Sequence, residues 1–363
     1  MTDLKGTLIV TGANGGLGSA IVSQIVLSLQ LNASYHGVYT VRNAASAHSL
    51  DAALVDRGSF RSPQRGNSPS SHSHEKISLD LSRLSNVRKA AAEINDRVAA
   101  GIIPHIHAIV LNAGYEEFEK QTWTEDGLDT TFATNYLGHW LLTVLLLQSM
   151  DREVGRVLWI SSWSHNPHDP RNSWNGSFKE YNTIFNSGSI DSIAKGSWSL
   201  TKDDKTGWAA GYRRYGASKL CGVTTISELQ RRLDQDSILK NISVLGIDPG
   251  LVNTGIARRS GSWFFRVLLW QLLLPAIAAI TIYFFPNGPL RPARKSASDI
   301  IAAALKSGPP PLSARPKGLY LNGSELGARN PEGKDPANGA MLWRDTLRYT
   351  QLEDGETSLE SWR

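Results

Sequence analysis

Leu8-Ile9-Val10-Thr11-Gly12-Ala13-Asn14-Gly15-Gly16-Leu17-Gly18 is the stretch on which the reading of this chain turns. The apolar run Leu8-Ile9-Val10 has the character of a strand buried on both faces of a parallel sheet. After the glycines, Ala20, Ile21, Val22, Ile25, Val26 and Leu29 recur at helical spacing. Strand, glycine-rich turn and helix, in that order, form the setting of a dinucleotide-binding turn, where N–H groups at a helix N-terminus meet a pyrophosphate. Gly12 permits the tight turn, Gly16 lets the backbone approach the phosphates, and Gly18 lets helix pack closely on strand. The spacing is Gly-x-x-x-Gly-x-Gly rather than Gly-x-Gly-x-x-Gly. A glycine-rich loop without function is the bland alternative, and the flanking strand and helix weigh against it.

A second stretch, Tyr215-Gly216-Ala217-Ser218-Lys219, places a phenol and an ammonium four residues apart, hence on one helical face. A free tyrosine holds its proton up to a pKa of ~10. A neighbouring cation favours the phenolate and is expected to draw that value down towards the working range of a general acid or base. Alone, this spacing mostly means packing; beside the glycine turn it points to chemistry.

Together the two stretches resemble the short-chain dehydrogenase/reductase family, in its retinol-dehydrogenase-like and sterol-3-ketoreductase-like branch, fungal members included. The resemblance runs from about Leu4 to Val252 and more faintly to Asn322. Asp80-Leu81 match the residues after the third strand that contact the adenine. Asn112-Ala113-Gly114 match the element that closes the fourth strand beside the cofactor. Asn135 matches the helix asparagine that holds a proton-relay water, and Ser162 the catalytic serine. Pro249-Gly250-Leu251-Val252-Asn253-Thr254 match the turn and threonine near the nicotinamide carboxamide. The implied catalytic set is Asn135, Ser162, Tyr215 and Lys219. The implied cofactor cradle is Gly12, Asn14, Gly16, Leu17, Gly18, Arg42, Asp80, Leu81, Asn112, Ala113, Gly114, Tyr215, Lys219, Pro249, Gly250, Val252 and Thr254.

Hydride addition to a carbonyl builds negative charge on oxygen, so a donor must be aimed there. Tyr215 is the expected proton donor, with the Ser162 hydroxyl orienting the same oxygen. By the resemblance, Lys219 binds the nicotinamide ribose, and Asn135 locks a water between Lys219 and solvent. Taken singly, Ser162 reads as a strand-end cap and Asn135 as an ordinary buried amide. Arg42 follows the second strand where an NAD site wants a carboxylate, and a guanidinium there suits a 2′-phosphate. No acid occurs between Arg42 and Asp51, so NADP(H) is expected rather than NAD(H). Against this, Gly15 stands where many NADP-preferring members carry a second basic residue. The expected activity is hydride transfer between nicotinamide and a ketone or secondary alcohol of a lipophilic substrate: polycyclic, steroid-like or a natural product. The alternatives are reduction of a carbon–carbon double bond or epimerisation on the same scaffold, and a non-catalytic NADP-binding sensor.

The 363 residues, 41% of them hydrophobic, suffice for one large core. We expect an α/β fold: a single doubly wound Rossmann-type domain over 1–324. Its parallel seven-stranded sheet has strands near 7–11, 35–41, 76–81, 106–111, 156–162, 242–247 and 318–322. A C-terminal extension, 325–363, either packs on the domain or trails from it, with a closing helix from Met341 to Leu352. The net charge of +5 suits an anionic cofactor or membrane surface. No Lys/Arg stripe interleaved with aromatics marks a nucleic-acid partner. Cys221 is the sole cysteine, so no intrachain disulfide forms. The first strand starts within ten residues, which leaves no signal peptide. A cytoplasmic protein is expected, not secreted, with peripheral contact to the endoplasmic reticulum or another internal membrane. By the resemblance, a homodimer through helices flanking the active site is expected.

Three regions exceed a minimal member of the family. The polar stretch Asp56 to His74 reads as a mobile surface loop, and its His72-x-His74 pair lacks the partners of a metal site. The insertion 163–214 carries Trp163, Trp174, Tyr181, Phe185, Trp198, Trp208 and Tyr212. These either wall the substrate entrance or pack a small core of their own. The segment 255–292 falls where the family places its lid. Within it, Val267 to Phe285 is uncharged, broken by Pro275 and flanked by Arg258, Arg259, Arg266, Arg291, Arg294 and Lys295. A span needs roughly twenty apolar residues, and one here would divide the core across a bilayer. We expect 263–285 to lie at the interface as an apolar lid, with a buried or oligomer-facing helix as the alternative.

Overall fold

The computed structural model of the chain describes residues 4–56, 68–69, 72–117, 120–186, 188–203, 207–252 and 274–363. Eight strands form the main sheet: β1 (Gly6–Thr11), β2 (Tyr35–Val41), β3 (His74–Ser78), β4 (Ile106–Leu111), β5 (Arg156–Ile160), β6 (Ser243–Asp248), β7 (Tyr320–Asn322) and β8 (Glu325–Leu326). Their order is β8-β7-β6-β5-β4-β1-β2-β3. The first seven are parallel, and β8 turns back antiparallel on β7. This corrects the expected seven-stranded, all-parallel sheet. Two residues are too few to display the period-two alternation by which a strand is read.

Strands with both faces covered read as continuous apolar runs, and β1 is buried throughout. Ile9, Val38, Ile109, Val157 and Val244 enter one core, while Leu8, Val10, Ala108, Leu158 and Leu245 enter the other. The principal helices are α1 (Gly16–Leu27), α2 (Leu84–Ala99), α3 (Gly138–Leu146), α4 (Trp208–Gln235), α5 (Leu274–Phe284), α6 (Ala293–Leu305) and α7 (Pro336–Thr350). Helices α2, α3 and α4 cover the first core, and α1 with α6 covers the second. The strand order reverses between β1 and β4, which opens a crevice at their C-terminal ends, the place where open α/β sheets bind ligands.

The polar stretch from Asp56 to His74 is not wholly a surface loop. Val55–Asp56 pairs with Ser68–Pro69, and the buried His72 bonds the Tyr39 hydroxyl through Nε2 at 2.7 Å. The third strand ends at Ser78 instead of 81, because Asp80 closes a turn by accepting from Ser82 N and Oγ. Asn253, Thr254 and the lid segment through 273 lie outside the described residues. Among the described residues no helix is long and apolar enough to cross a membrane, α5 having 11 residues.

The C-terminal extension packs on the domain. Helix α7 starts at Pro336, earlier than Met341, because Asp335 caps it by accepting from Ala337 N. Trp343 meets Trp140 with ring centroids 4.9 Å apart, and its indole N–H donates to Trp362 O at 2.6 Å. Arg88 holds the tail through Glu356 at 2.6 Å. Every residue of α3 is buried.

Candidate active site

Two loops line the crevice and are bonded to each other. Gly12 has φ +65°, and a Cβ there would lie 2.7 Å from Ala113 Cα; at Gly18 a Cβ would lie 2.3 Å from Gly12 O. Only glycine fits either position, and the tight turn leaves the start of α1 facing the crevice with unsatisfied N–H groups. Thr11 Oγ1 accepts from Asn112 N and Ala113 N, both at 2.9 Å, and Asn112 Nδ2 donates to Thr11 O at 2.8 Å. Asn14 Oδ1 accepts from Ser49 N and Leu50 N, tying the glycine turn to the chain after β2. Gly16 opens α1, Leu17 is buried beneath the turn, and Gly114 is exposed.

Arg42 is exposed at the end of β2 and makes no ion pair or hydrogen bond with described residues. Asp80 is half-buried, and Leu81 is buried. On the far side, Gly250 N donates to Asp248 Oδ1 at 2.9 Å, Ser296 Oγ donates to Pro249 O at 2.7 Å, and Val252 is buried. Thr254 lies outside the described residues. The remaining cradle residues fit a dinucleotide: a glycine turn without side chains, a helix N-terminus, and an unpaired guanidinium at the second strand.

Helix α4 begins at Trp208, so the last residues of the expected insertion are its first two turns. Tyr212, Tyr215 and Lys219 then share one face. The Tyr215 phenol and the Ser162 hydroxyl are neighbours, close enough for Ser162 to act on the phenol. Ser162 Oγ accepts from Ser164 N at 3.3 Å and Ser164 Oγ at 3.1 Å, so it caps the turn after β5 while lying beside the phenol. Lys219 Nζ donates to Ile160 O at 3.0 Å and lies 5.3 Å from the Tyr215 ring centroid. Asn135 sits in a π-turn, Ala133–Leu137, a distortion common at functional sites. Its Oδ1 accepts from Tyr115 N at 2.7 Å, and its Nδ2 donates to Tyr115 O at 2.9 Å and Ser218 Oγ at 3.0 Å. The Asn135 side chain thus holds the loop after β4 against α4.

Burial raises the Tyr215 pKa well above the usual phenol value; Glu116, Tyr212 and Asp248 add to the rise, and the Ser162 hydroxyl opposes it. This corrects the expected depression by Lys219. The ammonium lies over the ring, bonded to Ile160 O, rather than beside the hydroxyl. Burial pulls Lys219 down to about 8, against the pull of Glu116, and pushes Glu116 up to about 8, against Lys219.

Sequence reasoning missed Glu116, whose signal was an acid two residues beyond Gly114 at a strand end that faces a crevice. It also missed His139, which joins Thr11 Oγ1 at 2.9 Å to Asn135 O at 3.2 Å; burial drives its pKa down to about 3, so it is neutral. Arg171 was passed over as well. Its guanidinium lies over Trp163 and pairs with Asp169 and, at 3.0 Å, with the buried Asp248, tying the insertion to the end of β6. The insertion's aromatics pack largely on one another: Trp208 stacks on Tyr212, Phe178 meets Tyr212 at a tilt, and Trp198 meets Tyr181 edge to face. Among them Tyr212 also faces Glu116. Among the described residues no cluster of three His, Cys, Asp or Glu could hold a metal.

A family model described as short chain dehydrogenase matches residues 6–174. The chain is 42% identical to the short-chain dehydrogenase iccH of Talaromyces variabilis, over 99% of both proteins. It is 26% identical to human retinol dehydrogenase 13, over 96% of this chain and 85% of that one. Among solved structures, the angucycline C-6 ketoreductase LanV with bound NADP superposes with a TM-score of 0.53 at 15% identity, covering 90% of this chain and 98% of that one. Its low identity speaks to the fold alone. The 42% identity over nearly the whole length decides the matter: the chain belongs to the short-chain dehydrogenase family.

Proposed function

We propose that the protein is an NADP(H)-dependent oxidoreductase that reduces a ketone of a lipophilic substrate to a secondary alcohol, or runs the reverse. The observation that carries this reading is the meeting of the Tyr215 phenol with the Ser162 hydroxyl, and of Lys219 with the same ring, on one face of α4. The nicotinamide supplies the hydride. Tyr215, kept protonated by burial, donates to the carbonyl oxygen, and Ser162 orients that oxygen. Lys219, on the same helical face, takes the ribose hydroxyls, and Asn135 holds the loop that faces them. A water bridging Asn135 and Lys219 completes the proton path. The unpaired Arg42 supports a 2′-phosphate, hence NADP(H) over NAD(H). The likeness to retinol dehydrogenase 13 supports a lipophilic alcohol or ketone, and contact of the exposed α5 face with a membrane surface would deliver such a substrate.

The test is NADPH and NADH oxidation by the purified protein with a panel of polycyclic ketones and product analysis. The expected result is a secondary alcohol, with NADPH preferred. Arg42→Ala should raise the KM for NADPH by about 10-fold or more, as a charged hydrogen bond is worth ~1.5–3 kcal/mol, and leave NADH unchanged. Cofactor binding without turnover would favour a sensor. A saturated carbon–carbon product or an epimer would favour the other chemistries of the scaffold.

A further inference from the structure

Glu116 differs from the buried carboxylates described in the chain. Asp129, Asp248, Glu228, Asp299 and Asp345 each accept from a backbone N–H or a cation. Glu116 is half-buried, yet no hydrogen bond or ion pair with a described residue reaches it. A half-buried carboxyl with no partner among the described residues, at the edge of a crevice, is free to meet a ligand.

Its direction follows from its neighbours. The Tyr115 main chain is gripped on both sides by the Asn135 amide. Glu117 turns outward, taking the Tyr115 hydroxyl at 2.6 Å and Thr122 Oγ1 at 2.9 Å. The same Asn135 amide donates to Ser218 Oγ on α4 at 3.0 Å, so the chain at Glu116 lies against that helix. There it faces Tyr212, Tyr215 and Lys219, the one face of α4 that bears the proton donor. Lys219 does not pair with it, since Nζ is bonded to Ile160 O instead.

We propose that the Glu116 carboxyl is a substrate-selecting subsite that receives a hydroxyl borne close to the reacting carbonyl, so that the preferred substrates are hydroxy ketones. The assignment rests on the ketone reductase reading above. Tyr215 holds the carbonyl oxygen while Glu116, beside it, holds the hydroxyl. A site that hydrogen-bonds a substrate hydroxyl rejects the analogue lacking it, because its own polar group is then left bare.

Benzoin and deoxybenzoin share one skeleton and differ by the single α-hydroxyl. Their binding is measured by calorimetry on the NADPH complex of Tyr215→Phe, which does not turn over, and of the same protein carrying Glu116→Leu or Glu116→Gln. NADPH affinity is measured alongside. The expected result is benzoin bound at least about 10-fold more tightly than deoxybenzoin, a preference abolished by leucine and partly kept by glutamine. Equal affinities in the Glu116 protein, affinity for neither ketone, or a preference that survives Glu116→Leu overturns the assignment. So does a loss confined to NADPH affinity, which would place the carboxyl on the cofactor's ribose hydroxyls instead. Ketone reduction itself is judged separately, by NADPH oxidation in the wild-type protein.

Discussion

Tyr215 keeps its proton because burial and the Glu116 carboxylate both disfavour a phenolate, and this poises it as a donor to a carbonyl oxygen. The titrating groups of the crevice are instead Lys219 and Glu116, both near 8. Each draws the other towards its charged form, so the two titrate as a pair. As pH rises through about 8 the crevice therefore loses a positive charge and gains a negative one. NADPH affinity, followed by fluorescence titration, is predicted to fall across that range. Glu116→Gln removes the attraction that holds the lysine proton, so the break should move to lower pH; an unmoved break contradicts the coupling. At this scale the motif residues were legible because glycine, tyrosine and lysine act through local geometry. Glu116 was not, since its direction is set by Asn135, nineteen positions away. The Lys219 effect on the phenol was misjudged for a similar reason: helical spacing brings two side chains together without saying which atoms meet.

The elements were read where their pattern is long. Strand β1 and helix α1 declare themselves through an unbroken apolar run and helical spacing, whereas β8 has two residues and no period to show. The start of α7 was readable from Asp335-Pro336, a cap followed by proline at the first helical position, and was passed over for the later apolar residues. Helix α5 behaves differently from the buried helices. Ile280 is 63% exposed, Tyr283 85%, Phe284 75% and Phe285 68%. Apolar and aromatic side chains on one exposed element suit the headgroup boundary of a bilayer. The protein is predicted to co-float with anionic phospholipid vesicles, and Phe284→Ser with Phe285→Ser to weaken this at least several-fold. Equal flotation of the double variant would remove α5 as the contact.

Across the whole molecule, the tail closes the structure. Trp343 is buried between Trp140, the Arg232 guanidinium and Trp362, so residues 336–363 are bound to α3 and α4. Contacts spanning two hundred positions have no local signature, which is why the sequence left this extension either packed or trailing. Trp343→Ala should cost about 3–5 kcal/mol in urea unfolding, the range for a buried aromatic cut to alanine; a loss below about 1 kcal/mol would mean the tail is not part of the cooperative unit. The helix so braced carries Tyr215, and the account as a whole stands on that phenol. Its most direct test is single-turnover NADPH oxidation by Tyr215→Phe, with NADPH affinity measured on the same sample. We predict a loss of about 10²–10⁴-fold in the rate, the usual contribution of a positioned acid, at unchanged NADPH affinity. Wild-type rates in the phenylalanine protein would contradict the account.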